Sequence, residues 1–344
     1  KIVFEYKNKT TISAYETYVS DSLRGQGIAG KLLEKLVYYA RENNLKIIPR
    51  CSYVQKVFDS NESYQDVYYK EEIMIQQPTF TLRNGVKIHA VGFGTWQIPD
   101  GDEAYQSTLE ALKTGYRHID TAMAYRNEKS VGKAIKDSKI PREEIFVTTK
   151  LPAQIKGYEE AKNAFYESLE NLGLEYIDLY LIHAPKPWGV DKDAMEFMPE
   201  NIASWKAFEE LYEAGKIKSI GVSNFTPEHL SVLMKETNIV PHANQILVHP
   251  HHIPSENIAF CKANHILVEA YSPLATGRIF TDEKIAAIAK KYEKSIAQVC
   301  IRWSYQLGLL PLPKSVTPSR IKENFEIFDF ELSAEDMDAI GKVI

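Results

Sequence analysis

The sequence has 344 residues, which is enough for one large domain and a small one, and its 44% hydrophobic and 25% charged residues are ordinary for a soluble globular protein. The net charge of −5 gives no basic surplus for binding nucleic acids or anionic membranes, and no apolar run approaches the length of a membrane span. Three widely separated cysteines, Cys51, Cys261 and Cys300, are typical of a reducing compartment. We therefore predict a cytoplasmic protein without a nucleic-acid or membrane partner.

The first 70 residues are predicted to form a small α+β module. Strand-like runs cover residues 2–6, 10–19 and 45–49. Between them, the glycine-rich segment 23–30 opens an amphipathic helix that reaches about Asn43, because its apolar residues recur at helical spacing. Since Lys1 leads directly into a strand, we expect the module to lack its N-terminal part.

Three glycines in this segment, Gly25, Gly27 and Gly30, satisfy the G-x-G-x-x-G pattern of dinucleotide sites. Such a site requires a buried strand immediately before the glycines and an acidic residue about 20 positions later. Here residues 20–24, Ser-Asp-Ser-Leu-Arg, intervene, and the next strand runs into Cys51 without such an acid. The dinucleotide interpretation is therefore disfavoured at this position.

Residues 16–67 resemble the small, single-motif form of the acetyl-CoA-binding N-acetyltransferases, the GNAT superfamily. The resemblance implies that backbone N–H groups at the helix start face the pyrophosphate of acetyl-CoA. Cys51 matches a cysteine that this family often carries near the acetyl group, and a small buried hydrophobe is the alternative interpretation. Glu16 stands where the family commonly has His, which counts against transferase activity. The predicted CoA loop consists of Arg24, Gly25, Gly27 and Ala29.

Residues 71–78 look like a short junction without a Gly/Ser-rich tether, and residues 79–344 are predicted to form the second domain. Asn84-Gly85 between apolar runs predicts a β-hairpin at its start. Strand-like segments then alternate with helix-like ones. The predicted strands are 90–94, 116–120, 144–150, 177–183, 217–222, 243–248, 266–271 and 309–312. The predicted helices are 101–114, 127–138, 157–172, 200–214, 226–236, 254–263, 282–306 and 317–327.

Eight β–α units in about 250 residues predict the α/β fold class and a (β/α)₈ TIM barrel. An open doubly wound sheet is the alternative. It would require a glycine-rich turn after its first strand, and Gly92 and Gly94 lack the third glycine of that turn.

Reactive side chains stand at the ends of three successive predicted strands, namely Asp120, Lys150 and His183, and Tyr125 follows one turn beyond the first. Carboxyl ends of parallel strands meet at one rim of a barrel, so these four residues are predicted to converge. The Lys150 ammonium favours the phenolate of Tyr125 and so lowers its pKa, Asp120 holds Lys150, and His183 orients a carbonyl. Each residue alone has an ordinary structural explanation, but together they predict a device that delivers a proton to a carbonyl.

Eight segments resemble, in order, those of the aldo-keto reductases. The resemblance covers residues 79 to about 341 and implies Tyr125 as the acid, Lys150 and Asp120 as its tuning pair, and His183 as the group that orients the carbonyl. The matching segments are 92–96, 116–122 with Tyr125, 149–150, 181–185, 221–225, 244–245, 270–274 and 312–324.

The resemblance also implies NADPH as cofactor. It places Ser223, Asn224 and Gln245 at the nicotinamide amide and Tyr271 against the ring. Lys314, Ser315 and Arg320 open a helix after the eighth strand, where two cations and a hydroxyl suit a phosphate, and the family holds the adenosine 2′-phosphate there. The remaining predicted cofactor contacts are Thr95, Trp96, Ser272, Leu274, Val316, Glu323 and Asn324.

Trp96 and Trp188 are predicted to line the carbonyl pocket, the latter from a long loop over residues 184–200. A metal site at His249, His251 and His252 is disfavoured because no acidic or cysteine partner lies at ligand spacing. Arg126 stands where the family has a small residue, which predicts a narrower pocket or a preference for acidic substrates. The chain also stops at Ile344, where relatives continue into a specificity tail.

The predicted activity is therefore NADPH-dependent reduction of small aldehydes, ketoaldehydes or keto sugars by a monomeric enzyme. Two alternatives belong to other classes. One is acetyl-CoA-dependent N-acetyl transfer by the first module, and the other is a catalytically idle barrel that senses NADPH. An intact set of four reactive groups argues against the idle barrel.

Overall fold

The computed structural model describes residues 1–69 and 77–341. The chain divides into two units, Lys1–Met74 and Ile75–Ile344. Most of the predicted junction 71–78 lies outside the described residues, and the domain boundaries stay a prediction. In the part of the chain that the structure describes, no helix is both long enough and apolar enough to cross a membrane.

The first unit is a three-stranded sheet with two helices. Its central strand is the second one, which pairs antiparallel with the first and parallel with the third. The first helix buries Leu33, Leu36 and Val37 in the same apolar cluster as Ile12. As predicted, this helix begins within the glycine-rich segment 23–30, at Ile28, whereas the second helix was not predicted. The elements are β1 (Ile2–Asn8), β2 (Thr11–Thr17), α1 (Ile28–Glu42), β3 (Lys46–Pro49) and α2 (Ser52–Ser60).

The predicted hairpin is confirmed by β4 (Thr79–Thr81) and β5 (Lys87–His89), which pair antiparallel. The turn is closed by a hydrogen bond from the Gly85 N–H to the Leu82 carbonyl at 2.8 Å. Gly85 has a φ of 85°, a conformation that favours glycine, and this explains the strength of the Asn-Gly signal.

Eight parallel strands form the sheet of the second unit in strict chain order, and the predicted (β/α)₈ barrel is confirmed. Strands such as β8 are buried along their whole length, as expected for a parallel sheet covered by helices. The strands are β6 (Phe93–Gly94), β7 (His118–Asp120), β8 (Phe146–Leu151), β9 (Ile177–Ile182), β10 (Ile217–Ser223), β11 (Ala243–Leu247), β12 (Leu267–Tyr271) and β13 (Leu310–Leu312).

Backbone hydrogen bonds between the regions of the first and last strands close the barrel. The Gly92 N–H donates to the Pro311 carbonyl at 3.1 Å, and the Gly94 N–H donates to the Pro313 carbonyl at 2.9 Å. Proline has no N–H, so Pro311 and Pro313 accept hydrogen bonds without returning any. The hydrogen bonds at this seam therefore run in one direction.

Helices surround the barrel, and one prediction about them is wrong. The single helix predicted over 282–306 is two helices, because Glu293 has a left-handed φ of 54° and Ser295 starts a new helix in a capping box with Gln298. The last helix was not predicted. The helices are α3 (Asp102–Thr114), α4 (Glu128–Asp137), α5 (Tyr158–Leu172), α6 (Met198–Glu213), α7 (Pro227–Glu236), α8 (Ser255–Ala263), α9 (Glu283–Lys291), α10 (Ile296–Gln306), α11 (Pro318–Phe325) and α12 (Ala334–Ile340).

Close packing in β10 fixes the strand end that carries two predicted cofactor residues. A side chain on Gly221 would place its Cβ 2.6 Å from the Ala243 carbonyl of β11, so only glycine fits there. Two residues later, Ser223 ends the strand and Asn224 adopts a left-handed φ of 61°. This turn directs both polar side chains toward the same rim as Asp120.

Candidate active site

The four reactive residues of the sequence analysis lie together at the carboxyl ends of three adjacent strands. Asp120 ends β7, Lys150 is the penultimate residue of β8, and His183 directly follows β9. Tyr125 ends a short 3₁₀ turn, residues 123–125, that follows β7. We call these four residues the tetrad.

Lys150 is the central group of the tetrad and is completely buried. Its Nζ donates to both carboxylate oxygens of Asp120, at 2.8 and 2.9 Å, and to the Thr121 carbonyl at 2.8 Å. The Tyr125 hydroxyl lies 3.3 Å from the same nitrogen. Burial lowers the pKa of Lys150, but the charge of Asp120 and the contact with Tyr125 outweigh it and raise the pKa above its usual value. Lys150 is therefore charged at any physiological pH.

Tyr125 keeps its proton at neutral pH. Burial raises the pKa of its phenol to about 12, while Lys150 acts in the opposite direction. The lowering effect of Lys150, which the sequence predicts, is therefore outweighed by burial, which the sequence does not reveal. An acid with this pKa is fully protonated and forms a phenolate only when a strong proton acceptor, such as a developing alkoxide, approaches it.

His183 is neutral, because burial and the nearby charges of Lys150 and Lys156 lower its pKa to about 2. Its ring packs edge-on against Tyr125, with centroids 5.5 Å apart, and against Trp188 at 4.8 Å. Within the described part of the chain, its buried Nδ1 has no hydrogen-bond partner. A neutral imidazole can donate one hydrogen bond and accept another, so His183 suits the orientation of a carbonyl without adding charge.

Next to the tetrad, four polar side chains form a connected cluster. The Ser223 hydroxyl donates to the Gln245 carbonyl at 2.8 Å, and the Asn224 amide donates to the His183 carbonyl at 3.2 Å. The Tyr271 hydroxyl donates to Asn224 Oδ1 at 2.9 Å. Gln245 reaches the tetrad itself, since its Nε2 donates to Asp120 at 2.8 Å. These are the residues assigned to the nicotinamide end of a cofactor.

The opposite end of the site carries positive charge. Lys314 and Arg320 are exposed where β13 passes into α11, and Asn324 is buried in the last turn of that helix. Across the described residues, neither cation forms an ion pair with a carboxylate. Unpaired cations at a helix start suit a phosphate group.

One cleft of about 920 Å³ connects the two ends. Three predicted site residues do not line this cleft. Lys150 and Thr95 are buried behind its wall, and Val316 is exposed outside it. All the other predicted reductase residues line it. They are Trp96, Asp120, Tyr125, His183, Trp188, Ser223, Asn224, Gln245, Tyr271, Ser272, Leu274, Lys314, Ser315, Arg320, Glu323 and Asn324.

The cleft also contains residues that the sequence analysis missed. Thr276, Gly277 and Phe280 come from the irregular 3₁₀ segment Ala275–Thr281, which no hydrophobic period marks. Arg126, in contrast, is exposed with a left-handed φ of 60° and is not among the lining residues. A separate hollow of about 580 Å³ near the amino end of β12 contains no tetrad residue.

The residues of the cleft fit a dinucleotide with an anionic end. Polar amides and the Tyr271 ring occupy the part next to the tetrad, and the free cations occupy the part around α11. Among the described residues there is no group of His, Cys, Asp and Glu that could hold a metal ion. His251 instead pairs with Asp282 at 2.7 Å.

In the first unit, Arg24, Gly25 and Gly27 of the predicted CoA loop precede α1, and Ala29 lies in the first turn of that helix. Gly25 and Gly27 have left-handed φ values of 78° and 73°, and Arg24 pairs with Asp21 at 3.0 Å. Cys51 is half-buried at the start of α2. Burial raises the pKa of the Cys51 thiol, but hydrogen bonds with the backbone of Val54 and Tyr53 and with Thr17 together outweigh it and lower the pKa.

Comparisons with known proteins agree with both resemblances. The family described as "Aldo/keto reductase family" matches residues 90–344, and "GCN5-related N-acetyl-transferase" matches residues 1–67. The glyoxal reductase of Bacillus subtilis (strain 168) is 46% identical over 262 residues, 76% of this chain and 91% of that protein.

Solved structures give the same result. An aldo/keto reductase from Brucella melitensis is 46% identical with a TM-score of 0.73, covering 78% of this chain and 100% of that one. The Bombyx mori aldo-keto reductase in complex with NADP is 35% identical with a TM-score of 0.70, covering 77% of this chain and 92% of that one.

The buried ion pair leads to a prediction about stability. Lys150→Met leaves Asp120 buried without its cation, which should destabilise the barrel by about 3–5 kcal/mol. Urea unfolding of the full chain measures this. As a control, Lys162→Met removes the partly exposed pair with Glu210 at 2.8 Å, which should cost about 0–1 kcal/mol. Equal losses in the two variants would contradict the assignment of Lys150 as a desolvated charge.

Proposed function

The chain belongs to the aldo/keto reductase family, and from this premise we propose that it reduces small aldehydes, ketoaldehydes or keto sugars with Tyr125 as the general acid. Its broader activity, NADPH-dependent reduction of carbonyl compounds, follows from the family and from relatives named as reductases. The observation that carries the finer proposal is the Lys150 Nζ, which contacts both Asp120 and the Tyr125 hydroxyl beside a neutral His183.

The protein side of the reaction is a controlled proton transfer. His183 donates a hydrogen bond to the substrate carbonyl and fixes the position of its oxygen. NADPH, when bound, supplies the hydride that the carbonyl carbon receives. The Tyr125 hydroxyl then gives its proton to the oxygen, which completes the alcohol. Lys150 stabilises the phenolate left on Tyr125 until solvent reprotonates it, and Asp120 keeps Lys150 charged.

The pocket supports small substrates. Trp96 and Trp188 stand at its mouth with 44% and 48% of their surface exposed, so aromatic walls confine the approach to the tetrad. Lys156 and Asn201 hold the start of the loop that carries Trp188: Lys156 donates to the Ala184 carbonyl at 2.6 Å, and Asn201 donates to the Pro185 carbonyl at 2.6 Å. Because these hydrogen bonds fix the start of the loop, the pocket is expected to keep one shape rather than adapt to different substrates.

Tyr125→Phe tests the general acid. The variant keeps the ring but has no proton to give, so NADPH-dependent reduction should fall by about 10²–10⁴-fold while NADPH binding stays nearly unchanged. Steady-state kinetics and NADPH fluorescence titration measure the two effects. Tyr166→Phe, on the exposed face of α5, is the matched control and should behave as wild type. Undiminished turnover in Tyr125→Phe would remove it as the acid.

Arg320→Ala tests the cofactor preference. The guanidinium is placed to bind the 2′-phosphate, so its loss should weaken NADPH binding by about 1.5–3 kcal/mol and hardly affect NADH. Lys322→Ala, on the same helix but paired with Glu326 at 3.7 Å, provides the control. Equal weakening of both cofactors in Arg320→Ala would refute the phosphate assignment.

For the first unit we propose binding of acetyl-CoA at the loop formed by Arg24, Gly25, Gly27 and Ala29. The left-handed glycines before α1 and the lowered thiol pKa of Cys51 support this proposal. Gly27→Val forces a branched side chain into a left-handed conformation and should weaken acetyl-CoA binding at least about tenfold in calorimetric titration of the full chain. Gly30→Ala, where the nearest atom lies 3.8 Å away, should bind as wild type. If the wild-type chain does not bind acetyl-CoA, the proposal fails.

The cellular setting is part of the same proposal. All three cysteines are free thiols, which supports a reducing compartment and hence the cytoplasm. The monomeric state and the absence of a nucleic-acid partner stay predictions from the sequence.

A further inference from the structure

Glu269 is a fully buried acid inside the barrel that the proposed reaction does not use. It lies on β12, two residues before Tyr271, and has no exposed surface. It does not line the cleft. A carboxyl group in such a position is costly unless it is paired with a cation or stays neutral.

Among the residues that the structure describes, the contacts of Glu269 include no cation that could balance a negative charge. Its Oε2 accepts a hydrogen bond from Gln245 Nε2 at 2.9 Å, and within the described residues its Oε1 has no hydrogen-bond partner. His118 lies 3.9 Å away, but burial lowers the pKa of that imidazole to about 3, so it is neutral. Lys150 is already committed to Asp120, and β13 places the apolar Leu310 beside Glu269.

The neighbours of Glu269 therefore favour its neutral form. Burial, followed by the charge of Asp120, raises the pKa of Glu269 to about 8. Two carboxyl groups, those of Asp120 and Glu269, share the single nitrogen Gln245 Nε2 at 2.8 and 2.9 Å. Because Lys150 neutralises only Asp120, ionisation of Glu269 would leave the site with one uncompensated negative charge.

The shared nitrogen also fixes the orientation of Gln245. Both N–H groups of its amide are used on the two carboxyl groups, so only the carbonyl Oε1 remains for a ligand in the cleft that Gln245 lines. A nitrogen is required at this position, because an amide oxygen there would face the ionised carboxylate of Asp120 and be repelled. Gln245 therefore presents an acceptor, which matches the amide –NH₂ of a nicotinamide.

We propose that Glu269 is a positioning residue that fixes Gln245 and whose ionisation makes the choice between reduced and oxidised cofactor depend on pH. This inference rests on the proposed binding of the nicotinamide next to Gln245. When Glu269 is neutral, the charges of Lys150 and Asp120 cancel, so the site has no net charge that would favour the cationic ring of NADP⁺. With Glu269 ionised, the additional negative charge favours NADP⁺. By linkage, binding of NADP⁺ promotes loss of the Glu269 proton to solvent, whereas binding of NADPH does not.

The test compares the dissociation constants of NADPH and NADP⁺ from about pH 6.5 to about pH 9.5, on either side of the Glu269 pKa. In the wild type, the affinity for NADP⁺ relative to that for NADPH should rise at least about fivefold over this pH range. This factor is the lower end of typical coupling between two sites. Titration of the cofactor phosphates affects both forms alike and cancels in the ratio. Fluorescence titration gives the NADPH value, and calorimetry gives the NADP⁺ value.

Two substitutions separate the charge from the hydrogen bond. Glu269→Gln keeps an oxygen that accepts the hydrogen bond from Gln245, but its side chain cannot ionise. The ratio of the two dissociation constants in this variant should therefore stay, at every pH, at the value that the wild type has at low pH. Glu269→Ala removes the hydrogen-bond acceptor and should weaken the binding of both cofactors. Glu269→Gln should restore that binding. Glu128→Gln is the matched control, because Glu128 is also buried with a raised pKa but contacts Thr149 and Asn171. It should keep the wild-type profile.

A second measurement does not depend on the cofactor. The unfolded chain ionises Glu269 near its ordinary pKa while the folded chain retains the proton up to about pH 8, so this residue makes the fold less stable as pH rises between those values. The Tm of Glu269→Gln relative to wild type should therefore increase from about pH 5 to about pH 8.

The outcomes distinguish the two proposals. Failure of NADPH to bind the wild type would overturn the proposed function. In a second case, NADPH binds, but the ratio of the NADPH and NADP⁺ dissociation constants does not change with pH, or changes equally in the wild type and in Glu269→Gln. Either result would overturn the role of Glu269 alone. A constant Tm difference would show that Glu269 is ionised throughout, and this too would overturn it.

Discussion

The ion pair between Lys150 and Asp120 is the constraint on which the rest of the site depends. A buried ammonium loses its hydration and requires a compensating charge. The barrel supplies that charge because β7 and β8 are adjacent and parallel, which lets the side chains at their ends meet, with Lys150 Nζ 2.8 Å from Asp120 Oδ1. The remaining contacts of Lys150, with the Thr121 carbonyl and the Tyr125 hydroxyl, then fix the turn that carries the phenol.

The charge distribution along the cleft follows from this arrangement. Its inner end is electrically balanced, since Lys150 and Asp120 cancel and His183 is neutral. Its outer end carries Lys314 and Arg320 without carboxylate partners in the described part of the chain. A ligand with a polar uncharged head and an anionic tail matches both ends, and the order of the strands sets the direction in which such a ligand lies.

Much of this site follows from the sequence because parallel strands share one carboxyl edge. Asp120, Lys150 and His183 each follow or end an apolar run, so their convergence could be predicted without knowing any distance. The net pKa of Tyr125 could not, since it depends on how completely the folded chain excludes water from the phenol.

Other features gave a weaker signal or none. The break between α9 and α10 is indicated in the sequence by the capping box of Ser295 and Gln298. The apolar residues continue at helical spacing across this point, which favours one continuous helix. Glu269 gave no signal, because one acid in an apolar strand is equally compatible with an exposed edge and with the barrel interior. Only the pairing of β12 with β11 places it beside Gln245.

The one-way seam between Gly92–Gly94 and Pro311–Pro313 has a consequence for the chain during synthesis. The last strand emerges from the ribosome after all the others, so the barrel is an open sheet until residue 313 is available. An open sheet edge is a template for strands of other molecules. Pro311 within β13 and Pro313 directly after it have no N–H to donate on the outer edge of that strand, which makes it a poor partner for intermolecular pairing. Pro311 and Pro313 thus leave the closed barrel with fewer hydrogen bonds and, in a chain whose last strand has emerged but not yet closed the barrel, offer a foreign strand no donor at these two positions.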